Sequence, residues 1–307
     1  RFFKSKYTLN SDSLRGYLMT ISWYPGHMYK ANKELIKLVK ISDLIIELLD
    51  ARAPKASMNP LLSSLGKPMP RIIILNKCDL ADPVMTEKWR HYFEIQLQSQ
   101  ANALAPTVCL TNTMHAPIRA AALATLARKL IVTRPRFKEH AQLIITGIPN
   151  VGKSTFINNL IKRKVAKTGN EPAITKGQQR IKLDETFYLV DTPGLMWPKL
   201  EDQVAAYKLA TLGTIRNTAI DIEDIAWFAA EYFLAHQFSA LKNRYNFDNT
   251  LKSPEQLLGT IAASIGATSK GGKINFHKVS ETLLNDLRSG KLGTFSMESP
   301  PEPEHSI

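Results

Sequence analysis

The feature that most restricts what this chain can fold into is GIPNVGKST, Gly147–Thr155, set between the apolar run Leu143–Thr146 and the helical pattern Phe156–Ile161. In that strand-to-helix setting G-x-x-x-x-G-K-[ST] is a phosphate-cradling loop. Gly147 and Gly152 let the main chain close around phosphates, and the helix N-terminus supplies oriented N–H groups from the Asn150, Val151, Gly152 and Thr155 stretch. Lys153 is expected to reach the β and γ phosphates and Ser154 to ligate Mg²⁺. Such a loop needs a sheet beneath it. Short apolar runs at Leu44–Leu49, Ile72–Leu75, Thr107–Leu110 and Phe187–Val190 alternate with helical patterns, the signature of a mostly parallel sheet covered on both faces.

Two further motifs sit where such strands end. In YLVDTPGL, Asp191 closes an apolar run and is expected to hold Mg²⁺ through water, while Gly194 brings its N–H to a γ-phosphate. Thr175, in EPAITKG, is a candidate third Mg²⁺ contact that engages only when the γ-phosphate is present. The base is expected to be read by NKCD, Asn76, Lys77, Cys78 and Asp79, after the run IIIL. A carboxylate there accepts from both N1–H and the exocyclic amine of guanine, a donor pair adenine lacks, so GTP is the expected nucleotide. A second guanine loop is expected after TVCL, at Thr111 and Asn112, without the usual Ser-Ala pair.

The motif order is guanine loop, phosphate loop, γ-phosphate sensor, whereas ordinary GTPases begin with the phosphate loop. The expected fold class is therefore α/β: a circularly permuted P-loop GTPase domain with a parallel-rich sheet, followed by a small all-α C-terminal domain. The permutation sends the segment after Gly194 directly into that second domain. Helical patterns at Asp202–Ile215, Ile222–Phe238, Pro254–Ile265 and Phe276–Leu287 support it, and Ser253-Pro254-Glu255 reads as an N-cap, a first-turn proline and an acid facing the macrodipole. The expected divisions are an N-terminal extension at 1–18, the GTPase domain at 19–200, the helical domain at 201–293, and a disordered acidic tail at 294–307. Residues 1–18 carry Arg1, Lys4, Lys6 and Arg15 against Asp12 and precede Met19, which suits an upstream extension better than a transit segment.

Charge indicates the kind of partner. Forty Lys and Arg against 27 Asp and Glu leave a net charge of +13, which favours a polyanion. Lys30, Lys33, Lys37 and Lys40 recur at helical spacing opposite Leu35, Leu38 and Val39, forming a stripe able to track phosphates. A second basic set, Lys270, Lys273, Lys278, Arg288 and Lys291, lies in the helical region beside Gly271 and Gly272. No apolar run approaches the roughly 20 residues of a membrane span. Two cysteines, Cys78 and Cys109, without a CxxC pair or Cys/His cluster, argue against a disulfide framework or zinc finger and for a reducing compartment.

Taken with WYPGHMYKANKEL, DARAPKASMNP and KGGKINFHKVSETLLNDLRSGKLG, these motifs resemble the YlqF/RbgA family of circularly permuted GTPases, over about Trp23 to Leu292. The resemblance implies a GTP-hydrolysing assembly factor for the large ribosomal subunit, with a helical RNA-binding domain, that docks on rRNA in its GTP state and leaves after hydrolysis. It implies slow intrinsic turnover stimulated by the ribosomal particle, a monomer without stable membrane association, and a cytoplasmic location, an organellar matrix being the alternative. Ala173 stands where the family has glycine. Leu195 stands where small GTPases place a water-orienting glutamine. By resemblance, His27 of PGHM is the candidate catalytic group in its place, and Asn150 the residue that would help hold K⁺ beside the phosphates. Leu195 also keeps open a reading as a GTP-dependent RNA-binding switch in which hydrolysis is dispensable. A metabolic enzyme is disfavoured, since no acid/base or nucleophile constellation stands outside the phosphate site.

Overall fold

The computed structural model describes residues 20–21, 26–63, 69–100, 106–131, 140–162, 179–194, 196, 202–215, 220–248, 251–268 and 272–302. The chain divides into two compact units, one comprising Pro25–Trp197 with Gly293–Ile307 and the other Arg1–Tyr24 with Pro198–Leu292.

The first unit is an α/β layer structure in which α1 (Gly26–Ile41) leads into β1 (Leu44–Asp50), the short helices α2 (Pro54–Ser57) and α3 (Pro60–Ser63), β2 (Arg71–Asn76) and α4 (Pro83–Gln100). After β3 (Thr107–Thr111) and α5 (Ala120–Ile131) come β4 (Ala141–Gly147), α6 (Lys153–Ile161), β5 (Gln179–Lys182) and β6 (Phe187–Asp191). The strands form one sheet in the order β3-β2-β1-β4-β6-β5. Every pairing is parallel except β5 with β6. All seven residues of β1 are buried, as a central parallel strand covered on both faces requires. Ala31, Leu35 and Val39 of α1 pack with Ile45 and Ile144, while Trp89 and Phe93 of α4 pack with Leu49, Ile73 and Cys109. The edge strand β5, QRIK, has no apolar run to announce it. Ile181 is buried there, between exposed Arg180 and Lys182, and those charges suit a sheet edge.

The helical unit contains α7 (Gln203–Thr211), α8 (Ile222–His236), α9 (Phe238–Tyr245), α10 (Pro254–Ser264) and α11 (Phe276–Arg288). Side-chain caps open most of these helices: Asp202 accepts from the Ala205 N–H, Asp221 from Glu223 and Asp224, Ser253 from Gln256 and Asn275 from Lys278. The pattern read as one helix through Phe238 is broken at Gln237, which separates α8 from α9. Buried Asp286 accepts from Arg244 (2.7 Å), Lys291 (3.0 Å) and the Tyr245 hydroxyl (3.2 Å).

The expectation of a disordered tail from residue 294 is corrected. Phe295 and Met297 are buried in the first unit, and the segment is bonded to it along its length as far as Glu298. Alternating apolar residues, Phe295 and Met297, outweigh the proline and acid content that follows them. The division falls near Trp197, three residues before the expected boundary, and the sheet-containing unit is discontinuous in sequence.

Candidate nucleotide site

Because β1, β2, β3, β4 and β6 run parallel, their C-terminal ends, at Asp50, Asn76, Thr111, Gly147 and Asp191, line one edge of the sheet. Strand order reverses between β1 and β4, and ligands of open α/β sheets bind in the crevice at such a point. The three separated sequence motifs therefore converge.

At the phosphate end, backbone packing demands glycine. Gly152 caps α6 at φ 97°, and a Cβ there would lie 2.6 Å from Asn76 Nδ2. A Cβ on Gly147 would lie 2.9 Å from the Leu48 carbonyl oxygen, and one on Gly194 2.9 Å from Pro149 Cα, so the sensor turn lies directly on the phosphate loop. Thr192 Oγ1 donates to the Ile145 carbonyl (2.9 Å) and fixes that turn. Lys153, the first residue of α6, forms an ion pair with Asp191. Burial pushes Lys153 below the usual lysine range and Asp191 above the usual carboxylate range, each opposed by attraction to the other. Asp191 Oδ2 is buried without a hydrogen-bond partner among the described residues, and Ser154 and Thr155 lie half-buried in the first turn of α6. An oxygen donor set of this kind, a carboxylate oxygen and a hydroxyl, fits a hard cation such as Mg²⁺. Asn32 of α1 donates to the Met196 carbonyl (2.9 Å), just past the sensor glycine.

At the other end, Asn76 donates to the Val151 carbonyl (2.8 Å) and accepts from Asn112 Nδ2 (2.6 Å). Asn112 Oδ1 in turn accepts from the Ile118 N–H (2.9 Å), and its carbonyl from the Cys78 N–H (3.2 Å). The buried Asn112 thus joins the two base loops, whereas Thr111, the last residue of β3, is exposed. Asp79 is half-buried, its Oδ1 accepting from the Met114 N–H (3.3 Å). Cys78 donates to the Leu75 carbonyl, and burial pushes its thiol up to about 11, so at neutral pH it is an uncharged packing group. Lys77, at φ 61°, donates to the carbonyl of Asn150 (2.7 Å), itself at φ 58°, and to Asp50 Oδ2 (3.1 Å).

Asp50 and Arg52 stand beside these residues, a connection that motif reading missed. Arg52 donates from Nε and the main chain to Asp50 Oδ1 and from Nη2 to Oδ2 (2.8–3.1 Å), and Ser57 Oγ accepts from the Asp50 N–H (3.1 Å). Burial alone would raise the Asp50 pKa, but Arg52 and Lys77 hold it far below the usual carboxylate range. The available signal was an acid at the end of the apolar run LIIELL, at the same sheet edge as the motifs.

The other expected residues divide. His27 falls in the first turn of α1, but its side chain lies outside the described residues, as do Thr175, Lys270 and Leu195. Lys30, Lys33, Lys37 and Lys40 are exposed on α1 opposite buried Leu35 and Val39, and Leu38 is half-buried. Lys273 and Lys278 are exposed. Arg288 is half-buried. Its guanidinium donates to the Thr211 (2.9 Å) and Ala210 (2.8 Å) carbonyls, closing the C-terminus of α7, while Lys291 pairs with Asp286.

Comparison with known proteins agrees with this geometry. A family model described as 50S ribosome-binding GTPase matches residues 142–243. A Priestia megaterium protein named Ribosome biogenesis GTPase A is 38% identical over 292 residues, covering 94% of this chain and all of the relative. A Xenopus tropicalis protein named Mitochondrial ribosome-associated GTPase 1 is 32% identical, covering 90% and 94% of the two chains. The GDP-bound structure of Thermotoga maritima YlqF superposes with a TM-score of 0.60 at 24% identity, covering 88% of this chain and 100% of that one. Its likeness supports the permuted fold. Motif order, sheet topology and full-length similarity together place the chain in the ribosome biogenesis GTPase A family of circularly permuted GTPases.

Proposed function

We propose that this GTPase of ribosome biogenesis docks on rRNA of an immature large ribosomal subunit in its GTP state and leaves once GTP is hydrolysed. The observation that carries the reading is the convergence of the Asn76–Asp79 loop, the phosphate loop and the Gly194 turn at one sheet edge, in a chain similar along its length to ribosome biogenesis GTPases. Asp79 and Asn76 read and support guanine, Lys153 and the N–H groups of α6 hold the phosphates, and Ser154, Asp191 and Thr175 hold Mg²⁺, which neutralises phosphate charge when bound. Asn150 helps hold K⁺ at the same phosphates, and His27 orients water in place of the glutamine that Leu195 displaces. The exposed lysines of α1, with Lys273 and Lys278, meet rRNA phosphates, which position the protein without naming a base. The bacterial relatives suit a cytoplasmic monomer. Among the described residues no helix is long and apolar enough to cross a membrane.

The deciding experiment is GTP turnover, alone and with purified large or small ribosomal subunits, in K⁺ and in Na⁺ buffer. Stimulation by the large subunit alone is expected, with faster turnover in K⁺. Intact GTP binding without stimulation would favour the second reading, a binding switch independent of hydrolysis, for which Leu195 is the specific feature. Affinity for the particle should fall steeply with added salt, as an electrostatic interface requires.

A further inference from the structure

We propose that the C-terminal segment from Gly293 to Pro300 is a working part of the nucleotide site, a strap that positions the Asn76–Asp79 loop through Arg52. The proposal rests on reading that loop as the guanine site. Phe295 is fully buried, its ring 5.7 Å from the Arg52 guanidinium, which is itself 1% exposed. The Met297 N–H donates to the Arg52 carbonyl (2.7 Å), so the strap holds Arg52 by main chain and side chain together. Arg52 Nη1 has no acceptor among the described residues, and the aromatic ring nearby compensates part of that loss.

From Arg52 the chain of contacts runs to Asp50, to Lys77, and across to the Asn150 carbonyl of the phosphate loop. A second route reaches the same aspartate. Glu298 Oε2 accepts from the Lys55 (2.8 Å) and Ala56 (3.2 Å) N–H groups of α2, whose Ser57 hydroxyl accepts from the Asp50 N–H. A third contact touches the far side of the loop, where the Phe295 N–H donates to the carbonyl of Leu80, next to Asp79 (3.2 Å). Trp89 Nε1 donates to the Glu298 carbonyl (3.1 Å) and anchors the strap on α4. Lys77 and Asn150 both hold left-handed backbone conformations, which non-glycine residues rarely adopt and which persist only where the surroundings impose them. The strap supplies a share of that constraint. Phe295 and Glu298 are thus positioning residues that touch no substrate.

The test compares dissociation constants for GDP and IDP, which lacks the exocyclic amine, in wild type, Phe295→Ala, Phe295→Leu and Glu298→Ala. Leu35→Ala, a buried truncation on α1, serves as the stability control. Phe295→Ala is expected to weaken GDP binding by about tenfold and to shrink the GDP-over-IDP preference, because a loosely held loop loses alignment with the base. Phe295→Leu should restore most of both, and Glu298→Ala should shift both in the same direction to a smaller degree. Phe295→Ala and Glu298→Ala proteins that melt at lower temperature, like Leu35→Ala, yet keep the wild-type preference would overturn the strap and leave the guanine reading standing. A wild type without preference for GDP over IDP would instead overturn the guanine reading, and the strap with it.

Discussion

The site edge holds the same pair of residues twice. On one side, a lysine following β2 meets the aspartate that ends its neighbour β1, and on the other a lysine following β4 meets the aspartate that ends β6. Their surroundings differ. Asp50 is saturated by Arg52, Lys77 and its own N–H to Ser57, and its pKa is held low. Asp191 has a single side-chain partner, an oxygen without a hydrogen bond among the described residues, and a pKa raised by burial. The first pair is a frame, with its bonds satisfied inside the protein; the second keeps one carboxylate oxygen without a hydrogen bond among the described residues, which on the function proposed above lets it exchange partners with phosphate and cation. On the proposed assignment the difference matches the two tasks: a pocket that reads a base needs fixed shape, whereas a pocket for polyphosphate needs charge that can be redistributed.

The contrast is broken most severely by Arg52→Ala, which leaves Asp50 short of its main partner in the interior. Removing one partner of a buried ion pair costs about 3–5 kcal/mol, and with Lys77 still paired to Asp50 urea unfolding without nucleotide should show a loss near the lower end of that range. Lys153→Ala tests the other pair. It should lower GTP affinity on the order of 100-fold, measured with a fluorescent analogue, by removing a charge-assisted phosphate contact. A smaller effect is expected of Gly194→Ala, whose Cβ must displace the Pro149 backbone. Turnover should fall about tenfold and GDP affinity by clearly less, because the γ-phosphate contact is misplaced while the phosphate loop gives way only at Pro149. The smallest effect belongs to Glu47→Gln. Glu47 is a second buried carboxylate on β1, pushed up by burial despite Arg71 at 3.5 Å and the Asn59 N–H. The folded chain binds its proton more tightly than the unfolded chain does. Its contribution to stability therefore falls as pH rises from about 4.5 through the raised value. Glu47→Gln should gain stability relative to wild type as pH rises from about 4 to 8, and match it below about pH 4, in thermal melts across that range.

Sequence made the chemistry legible because each motif is short, local and attached to an apolar run: Asn76, Gly147 and Asp191 all close strands that could be read as such. The partners of those residues were not legible. Arg52 meets Lys77 through Asp50 only because β1 and β2 are neighbours in register, Asp50 opposite Asn76, which no single segment encodes. Phe295 was hidden by composition, its two-residue alternation with Met297 being too short to stand out beside ESPPEPEHSI. The packing role of Arg288 was not legible for a related reason. It follows buried Leu284 and Leu287 on α11, and only the packing of α7 supplies the carbonyls that bind it.

The strand order also sets a timetable. A chain synthesised from its N-terminus delivers β1, β2 and β3 well before β4, although β4 is the native neighbour that closes the second edge of β1. Until Ala141–Gly147 have been made, the most apolar strand of the sheet has one row of backbone groups that its own partner cannot yet cover. Such an open edge is a template for wrong pairing between nascent chains. Glu47, in the middle of LIIELLD, is the one charge that interrupts that run before Asp50 ends it. A carboxylate buried in the finished fold thus stands where a growing chain most needs a deterrent to self-association.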